Sequence, residues 1–213
     1  MTARVVTVAQ QKGGAGKTTL LVQLATAVAA LGRKVAIVDI DPQATLTGWM
    51  RIREHEARGT PELRFAMVGG WRLGVELDRL QREVELVLVD TPPHAESEAK
   101  GAIRRADLVL VPCQPSPADI WASRATFTLA AKESRPARLV WTRVPPRGRA
   151  VEEARAAVAR EGWPVAAAEL GNRQIYVTSF SRGLGVVEAE PKGVAAEEVR
   201  ALARELEDAL VRR

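Results

Sequence analysis

The sequence predicts an α/β fold, a doubly wound, mostly parallel β-sheet with helices on both faces. Short, continuous apolar runs, which are typical of strands buried on both faces, alternate with longer runs that have helical spacing. The alternation continues along the chain without an internal repeat or a low-complexity linker. This order favours parallel strands joined by crossover helices. At 213 residues, the chain is expected to form a single domain over residues 1–213.

A glycine-rich loop lies between the first predicted strand, Val5–Ala9, and a helical run, Leu20–Leu31. Glycines allow successive backbone N–H groups to approach an anion, and the start of a helix adds its positive dipole end. Lys17 would contact the β/γ-phosphates and the Thr18 hydroxyl would ligate Mg²⁺, as in a P-loop. The predicted nucleotide-binding residues are Lys12, Gly13, Gly14, Ala15, Gly16, Lys17, Thr18 and Thr19.

Acidic residues end two other predicted strands. The strand Lys34–Val38 runs into Asp39-Ile40-Asp41-Pro42-Gln43, and Leu86–Asp90 ends in an acid that is followed by Thr91-Pro92-Pro93. Ligands of open α/β sheets bind at the carboxyl ends of the strands, where these acids would lie. The second run has the form of a Walker B strand, so Asp90 is predicted to hold Mg²⁺. The first run leaves two interpretations open, a site carboxylate or a pair of helix-capping aspartates.

The other elements follow from the same periodicities, with the least regular stretch at residues 54–72. Strands are predicted at Leu63–Val68, Asp107–Cys113, Arg138–Val144 and Pro164–Leu170. Helices are predicted at Ala44–Arg53, Leu73–Arg82, Ala95–Arg105, 118–132, Val151–Arg160 and Ala195–Arg213. His94 is expected to be a surface residue.

The glycine-rich loop departs from the common P-loop pattern. Gln11 stands where that pattern has a glycine, and Lys12 is a second lysine inside the loop. Together with the Asp39–Gln43 run and Asp90-Thr91-Pro92, the loop resembles the deviant Walker A motif of the ParA/MinD family of ATPases. The resemblance covers residues 5 to about 190, and the small size is closest to ParF-like ParA proteins.

The resemblance implies a Mg²⁺-dependent ATP hydrolase that forms a homodimer when ATP binds. Lys12 would cross to the phosphates of the partner subunit, Asp41 would orient the attacking water, and Lys17 would complete the catalytic set. The dimer would bind DNA without sequence preference, and a ParB-like or other partner protein would activate it. Its cargo would be a plasmid, a chromosome region or a protein cluster, and it would be nucleoid-associated.

Basic residues are concentrated in one window. Residues 132–149 hold six basic side chains against the single acid Glu133, so this window carries a charge equal to the net +5 of the whole chain. Two interpretations remain: a solvated arginine-rich surface, or a patch that binds DNA phosphates. The predicted DNA contacts are Arg143, Arg147, Arg149 and Arg173, the last because ParA proteins have an arginine after the corresponding strand.

Other features limit the alternatives. A MinD-like membrane protein would need a basic amphipathic C-terminal helix, whereas this one carries five acids, so no stable membrane binding is expected. Lys12 argues against a biosynthetic enzyme that resembles dethiobiotin synthetase. Cys113 is the single cysteine, which excludes an internal disulfide and a nitrogenase-type iron–sulfur site, and it is expected to be a buried apolar residue. The chain also lacks an apolar signal segment, so a cytoplasmic location is predicted.

Proline residues mark one further segment. Pro115 and Pro117 end a strand and start a helix, and a proline-rich stretch at this place resembles the dimer-interface region of ParF-type proteins. Trp121, in the following helix, is expected to be either an interface residue or a core residue.

Overall fold

The computed structural model describes residues 2–93 and 96–211. The strands are β1 Arg4–Val8, β2 Val35–Asp39, β3 Leu63–Met67, β4 Leu86–Asp90, β5 Leu108–Cys113 and β6 Ala137–Trp141. The helices are α1 Lys17–Ala30, α2 Thr45–Glu56, α3 Leu73–Leu80, α4 Glu96–Arg105, α5 Pro117–Lys132, α6 Arg149–Glu161, α7 Gln174–Phe180, α8 Val186–Ala189 and α9 Val194–Val211. A short 3₁₀ turn, Gly70–Arg72, precedes α3.

The strands form one sheet in the order β3-β2-β4-β1-β5-β6, and each neighbouring pair is parallel. From β1 the chain forms β2 and then β3 towards one edge of the sheet. It returns to the centre at β4 and then forms β5 and β6 towards the other edge, so the prediction of a doubly wound sheet is confirmed. The register brings three predicted site segments to one edge. Asp90 pairs with Val8, the last residue of β1, and also with Asp39.

Helices cover both faces of the sheet because alternate strand residues point to opposite sides. On β4, Leu88 belongs to the core formed with α1 and α9, whereas Val87 and Val89 belong to the core beneath α3 and α4. A third cluster joins β5 and β6 to α5 and α6. All five residues of β4 are buried, as expected for a central parallel strand.

The terminal helix α9 packs on the sheet. Val199, Leu202 and Leu206 are almost fully buried in the same core as α1. Its apolar face is therefore covered by protein, as the acidic residues of its other face predict. Within residues 2–93 and 96–211, no helix combines the length and the apolarity that crossing a membrane requires.

The predicted strand Pro164–Leu170 is wrong. In the part of the chain that the structure describes, only isolated bridges connect this region to the sheet, Leu139 to Val165 and Val144 to Gly171. Between these bridges, the Ala167 and Ala168 amides donate to the Glu205 carboxylate of α9 instead of to a strand. The Glu205 carboxylate thus accepts hydrogen bonds from amides that would otherwise donate to a neighbouring strand, so the strand does not form.

Three single-residue expectations have different outcomes. Cys113 is fully buried, and its burial raises the pKa of the thiol to about 12, so it is the inert apolar residue that was expected. Trp121 is 63% exposed, so its interpretation as a core residue is wrong. His94 lies outside the described residues.

Candidate nucleotide-binding site

The glycine-rich loop has the backbone geometry that an anion cradle needs. Gly14 and Gly16 have φ angles of 77° and 94°, a region that side chains with a Cβ disfavour. Gly16 is the N-cap of α1 and offers no side chain to the first helical N–H groups. A Cβ added at Gly13, Gly14 or Gly16 would meet no atom within 4 Å, so the loop borders open space. The amide donors of the loop and of α1 can therefore bind an anion from that space.

Thr18 and Asp90 meet directly beside the loop. Thr18 Oγ1 donates to Asp90 Oδ2 at 2.6 Å, and Asp90 Oδ1 is buried without a hydrogen-bond partner among the described residues. An unpaired buried carboxylate oxygen next to a hydroxyl fits Mg²⁺, which in nucleotide sites takes few protein oxygens and completes its shell with phosphates and water. No group of three or more His, Cys, Asp and Glu side chains elsewhere in the described chain offers a metal cage.

Asp39 and Asp41 have different surroundings. Asp39 is fully buried and accepts three hydrogen bonds, from the Asp41 amide at 3.0 Å and from the Thr47 amide and hydroxyl at 2.9 and 2.7 Å. Among the described residues, the Asp41 carboxylate accepts a hydrogen bond only from the Gln43 amide, at 2.9 Å. Asp39 therefore fixes the loop and the first turn of α2, while Asp41 keeps acceptor capacity towards the site.

The charged groups at this edge of the sheet shift one another's pKa values. Burial lowers the pKa of the Lys17 ammonium, and the nearby carboxylates of Asp90 and Asp41 partly offset that effect. Burial, reinforced by Asp39 and Asp41 and opposed by the Thr18 hydrogen bond and Lys17, raises the pKa of Asp90 to about 7. The clustering of one cation and several carboxylates in a buried place is typical of functional sites.

Lys12 is held by its own chain. Its Nζ lies 2.6 Å from Asp119 Oδ2, on the first turn of α5. The Gln114 side chain also donates to Gly14 O at 3.0 Å, so both the segment before α5 and the first turn of α5 contact the loop. Sequence reasoning missed Asp119, because the residue lies 107 positions from Lys12 and matches no motif.

A cavity of about 280 Å³ adjoins the loop on the other side. It extends from Gly16 and Leu20 to Leu170 and the apolar side chains of α7, among which are Tyr176 and Phe180. Its size and its position beside the phosphate cradle suit a nucleoside. A larger groove of about 720 Å³ lies between α9 and residues 167–168, but it contains no residue of the glycine-rich loop. The smaller cavity is therefore the candidate for a nucleoside and is called the nucleoside cavity below.

Glu198 of α9 organises the wall of this cavity. Its carboxylate accepts from the Gly171 amide at 3.1 Å, from Tyr176 Oη at 2.9 Å and from Arg173 Nη2 at 2.6 Å. Burial and the Glu198 carboxylate raise the pKa of the Tyr176 hydroxyl, which stays protonated as a donor. Helical periodicity did not predict α7, because the helix is only seven residues long.

A buried ion pair connects α2 to the segment after α7. Arg53 and Glu188 form a two-pronged contact at 2.8 and 2.9 Å, and Arg53 also donates to Gly183 O and Pro61 O. The side chains of both partners are less than 10% exposed. The contact ties the helix that follows Asp41 to the segment behind the nucleoside cavity.

The predicted DNA contacts do not form one surface of unpaired charge. Arg143 and Arg173 line the nucleoside cavity, and Arg173 pairs with Glu198. Arg149 pairs with Glu153 at 2.8 Å, and Arg147 is exposed. Outside this set, Arg138 pairs with Glu205, so acids from distant positions neutralise part of the basic window. Whether these arginines contact DNA stays a prediction.

Comparison with known proteins agrees with this geometry. Residues 6–186 match the family model described as the CobQ/CobB/MinD/ParA nucleotide binding domain. A carboxysome distribution maintenance protein A from Gloeobacter kilaueensis is 35% identical over 213 residues, covering 96% of this chain and 94% of that protein. A protein of the same description from Halothiobacillus neapolitanus is 29% identical, covering 93% and 94%. The solved ATP complex of a Cyanothece McdA variant superposes with a TM-score of 0.79 at 15% identity, covering 98% and 96%.

Proposed function

This chain belongs to the CobQ/CobB/MinD/ParA family of nucleotide-binding domains, and from this premise we propose that it is a positioning ATPase. Mg²⁺-dependent hydrolysis of ATP would drive a cycle between a monomer and a dimer that binds DNA. The observation that carries the proposal is the meeting of Lys17, Asp41 and Asp90 beside an open loop of amide donors. Phosphoryl transfer needs this kind of positioning and charge stabilisation.

The residues at the sheet edge have separate roles in this proposal. Amides of the loop bind the phosphates, and Lys17 offsets their charge. Thr18 and Asp90 would hold Mg²⁺, which supplies positive charge at the phosphates when it is bound. Asp41 accepts a hydrogen bond from the attacking water and orients it, while Asp39 keeps the Asp41 backbone in place. Orientation of this kind is typically worth about 10²–10⁴-fold in rate.

Dimerisation would add the second lysine. Lys12 lies on the half of the loop that faces α5, and its side chain is 40% exposed, so a partner subunit can reach it. A cation delivered to the phosphates of the other subunit stabilises charge that develops in the transition state. Lysine lacks the bidentate fork of arginine, so we expect the lower end of the gain of about 10³–10⁵ that arginine fingers give.

We propose a protein assembly as the cargo. Two relatives that match more than nine-tenths of this chain are described as maintaining carboxysome distribution. A protein partner would connect the assembly to the dimer and stimulate hydrolysis. Membrane attachment is disfavoured, because the apolar face of α9 is already packed against α1 and the sheet.

DNA would serve as the surface on which the dimer binds. Arg147 is exposed, and the side chain of Arg149 is 90% exposed despite its contact with Glu153. Pairing two subunits doubles the number of such weak phosphate contacts and raises avidity. Binding should therefore require ATP, ignore sequence and fall steeply with salt.

A gel-shift series with random duplex DNA, with and without ATP, tests this step. Reversing both charges, Arg147→Glu with Arg149→Glu, should weaken binding and leave basal hydrolysis intact. The matched control reverses two exposed arginines on and after α2, Arg51→Glu with Arg58→Glu. Equal DNA binding by wild type and the Arg147→Glu/Arg149→Glu variant would show that this surface does not bind DNA. Absence of DNA binding by the wild-type ATP dimer would favour a membrane or biosynthetic role.

A further inference from the structure

The buried ion pair between Arg53 and Glu188 fixes more of the backbone than its two charges alone require. The Arg53 guanidinium donates to both Glu188 carboxylate oxygens, at 2.8 and 2.9 Å. It also donates to Gly183 O at 3.0 Å and to Pro61 O at 2.9 Å, and it lies 5.3 Å from the centroid of the Trp49 ring. A buried ion pair often gives no more stability than apolar side chains of similar size. What this pair adds is a fixed geometry between α2 and the segment after α7.

The segment after α7 packs directly against two helices. A Cβ at Gly183 would overlap the Arg53 backbone of α2, and a Cβ at Gly185 would overlap Thr26 Oγ1 of α1. The Glu188 carboxylate that pairs with Arg53 also accepts from the Gly185 amide at 2.9 Å. With no room for a side chain at either glycine, the backbone that follows α7 is fixed relative to both helices.

Aromatic rings connect α7 to α2 directly. Phe180, the last residue of α7, lines the nucleoside cavity. Its ring centroid lies 6.4 Å from that of Trp49, which belongs to α2 and is 1% exposed. Phe180 therefore borders both the nucleoside cavity and the helix that follows Asp41.

The other end of α2 determines where Asp41 lies. The Ala44 amide donates to Asp41 O at 2.9 Å, and Ala44, the N-cap of α2, has a φ angle of 55°, which residues with a Cβ disfavour. Such a conformation persists where the surrounding contacts determine the backbone. Here those contacts are the Thr47–Asp39 hydrogen bonds in the first turn of α2 and the contacts of Arg53 in its second half. A shift of α2 would therefore displace Asp41.

We propose that Arg53 is a positioning residue for Asp41, through which an occupied nucleoside cavity promotes orientation of the attacking water. This inference rests on the proposed hydrolysis of ATP. The nucleoside restricts α7, and the Arg53–Glu188 pair transmits this restriction to α2. Because α2 holds Asp41, the nucleoside raises the rate of the chemical step as well as the affinity. A phosphate chain without a nucleoside is then a poor substrate.

Inorganic triphosphate tests this coupling, because it has a chain of three phosphates but no nucleoside. We expect the wild-type kcat for ATP to exceed that for triphosphate by about ten-fold or more, since small displacements of a positioning group cost at least that much. In the variant Arg53→Met with Glu188→Met, kcat for ATP should fall and the ratio of the two kcat values should approach one. A merely structural role would lower the Tm and leave the ratio unchanged. Equal wild-type kcat values, or an unchanged ratio in the variant, would overturn the proposal.

Two further variants separate coupling from a loss of fold. Arg53→Lys keeps a charge opposite Glu188, but one ammonium cannot make the forked contacts of a guanidinium. It should give an intermediate ratio, and it tests the proposal even if the first variant does not fold, because an unchanged ratio would again overturn it. The matched control, Arg124→Met with Glu161→Met, removes an ion pair between α5 and the end of α6 and should leave the ratio as in wild type. An equal change of ratio in this control would also overturn the proposal.

Hydrogen exchange gives a readout that needs no hydrolysis. ADP and pyrophosphate, each at saturation with Mg²⁺, differ by the nucleoside. In wild type, ADP should slow exchange of the amides of α2, Thr45–Glu56, by about five-fold or more beyond pyrophosphate, and this difference should vanish in Arg53→Met with Glu188→Met. Equal exchange of α2 with both ligands in wild type would overturn the inference. Failure of the proposed function looks different: ATP would bind and protect α2 but would not be hydrolysed.

Discussion

The two halves of the proposed ATP site are built in different ways. The phosphate half consists of the loop after β1 together with Asp41 and Asp90, which follow or end neighbouring strands. The nucleoside half consists of residues 142–143 and 170–181, held by Glu198 of α9 and by the Arg53–Glu188 pair. Local sequence specifies the first half, whereas contacts between distant segments specify the second.

The two halves also differ in the contacts that hold their residues in place. Strand register alone brings Val8, Asp39 and Asp90 to one edge. In the nucleoside half, the Glu198 carboxylate holds the short helix α7 and the Val144–Gly171 bridge, and the buried Arg53–Glu188 ion pair ties the segment after α7 to α2. The phosphate half should therefore contribute most of the affinity for ATP. The nucleoside half should adjust that affinity and set the preference for one base over another.

The largest expected effect is loss of ATP binding by Lys17→Ala. Backbone amides alone leave the phosphate charge unbalanced, and a buried, charge-assisted contact is lost. We expect an affinity loss of more than about 100-fold, measured by calorimetric titration with ATP and Mg²⁺. Lys34→Ala, an exposed lysine before β2, is the matched control. Unchanged affinity in Lys17→Ala would show that the loop is not a phosphate site.

The second effect separates Asp41 from Asp39. Asp41→Ala should bind ATP and form a stable dimer, yet hydrolyse it about 10²–10⁴-fold more slowly, because the water is no longer oriented. Asp39→Ala leaves three buried donors without an acceptor and should instead cost about 2–4 kcal/mol of unfolding free energy. Single-turnover hydrolysis and thermal unfolding distinguish them. Normal turnover by Asp41→Ala would move the role to another acid.

The smallest effect concerns the nucleoside half. Asn172→Ala removes a polar side chain that lines the cavity, so ATP affinity should fall by about ten-fold or less, and the preference for ATP over GTP should narrow. Thr178→Ala, on the outer side of α7, should change neither property. If Asn172→Ala leaves base preference intact while Lys17→Ala loses binding, the base does not lie in this cavity.

The same contrast explains which elements could be predicted from the sequence. The strands are continuous apolar runs, and the terminal helix has a clear apolar period. The residues of the phosphate half have fixed spacings along the chain. The positions of these elements could therefore be predicted from the sequence alone. The predicted strand Pro164–Leu170 failed because Glu205 takes its amides, a contact between residues far apart in sequence. No local sequence pattern predicts such a contact.

Charge counting along the chain does not show which charges are paired in the fold, and whether the arginines of the basic window contact DNA stays a prediction. Glu153 and Glu205 lie outside the window 132–149 and pair with Arg149 and Arg138, so part of its excess charge is neutralised in space. Arg143 and Arg173 likewise belong to the wall of the nucleoside cavity, which no window of sequence brings together. The Lys12–Asp119 contact is a further example of a contact that no window of sequence shows, because the two residues lie 107 positions apart.

The most direct measurement mixes two inactive variants. In the proposed mechanism, Lys12→Ala lacks the lysine that would act across the dimer but keeps its own Asp41, whereas Asp41→Ala keeps Lys12 but should not hydrolyse its own ATP. The subunits are combined before ATP is added, since Asp41→Ala alone should form trapped dimers. Lys12 acting across the dimer predicts that the mixture regains ATP hydrolysis, with a maximum near equal amounts. Hydrolysis no greater than the sum of the two variants alone would contradict it.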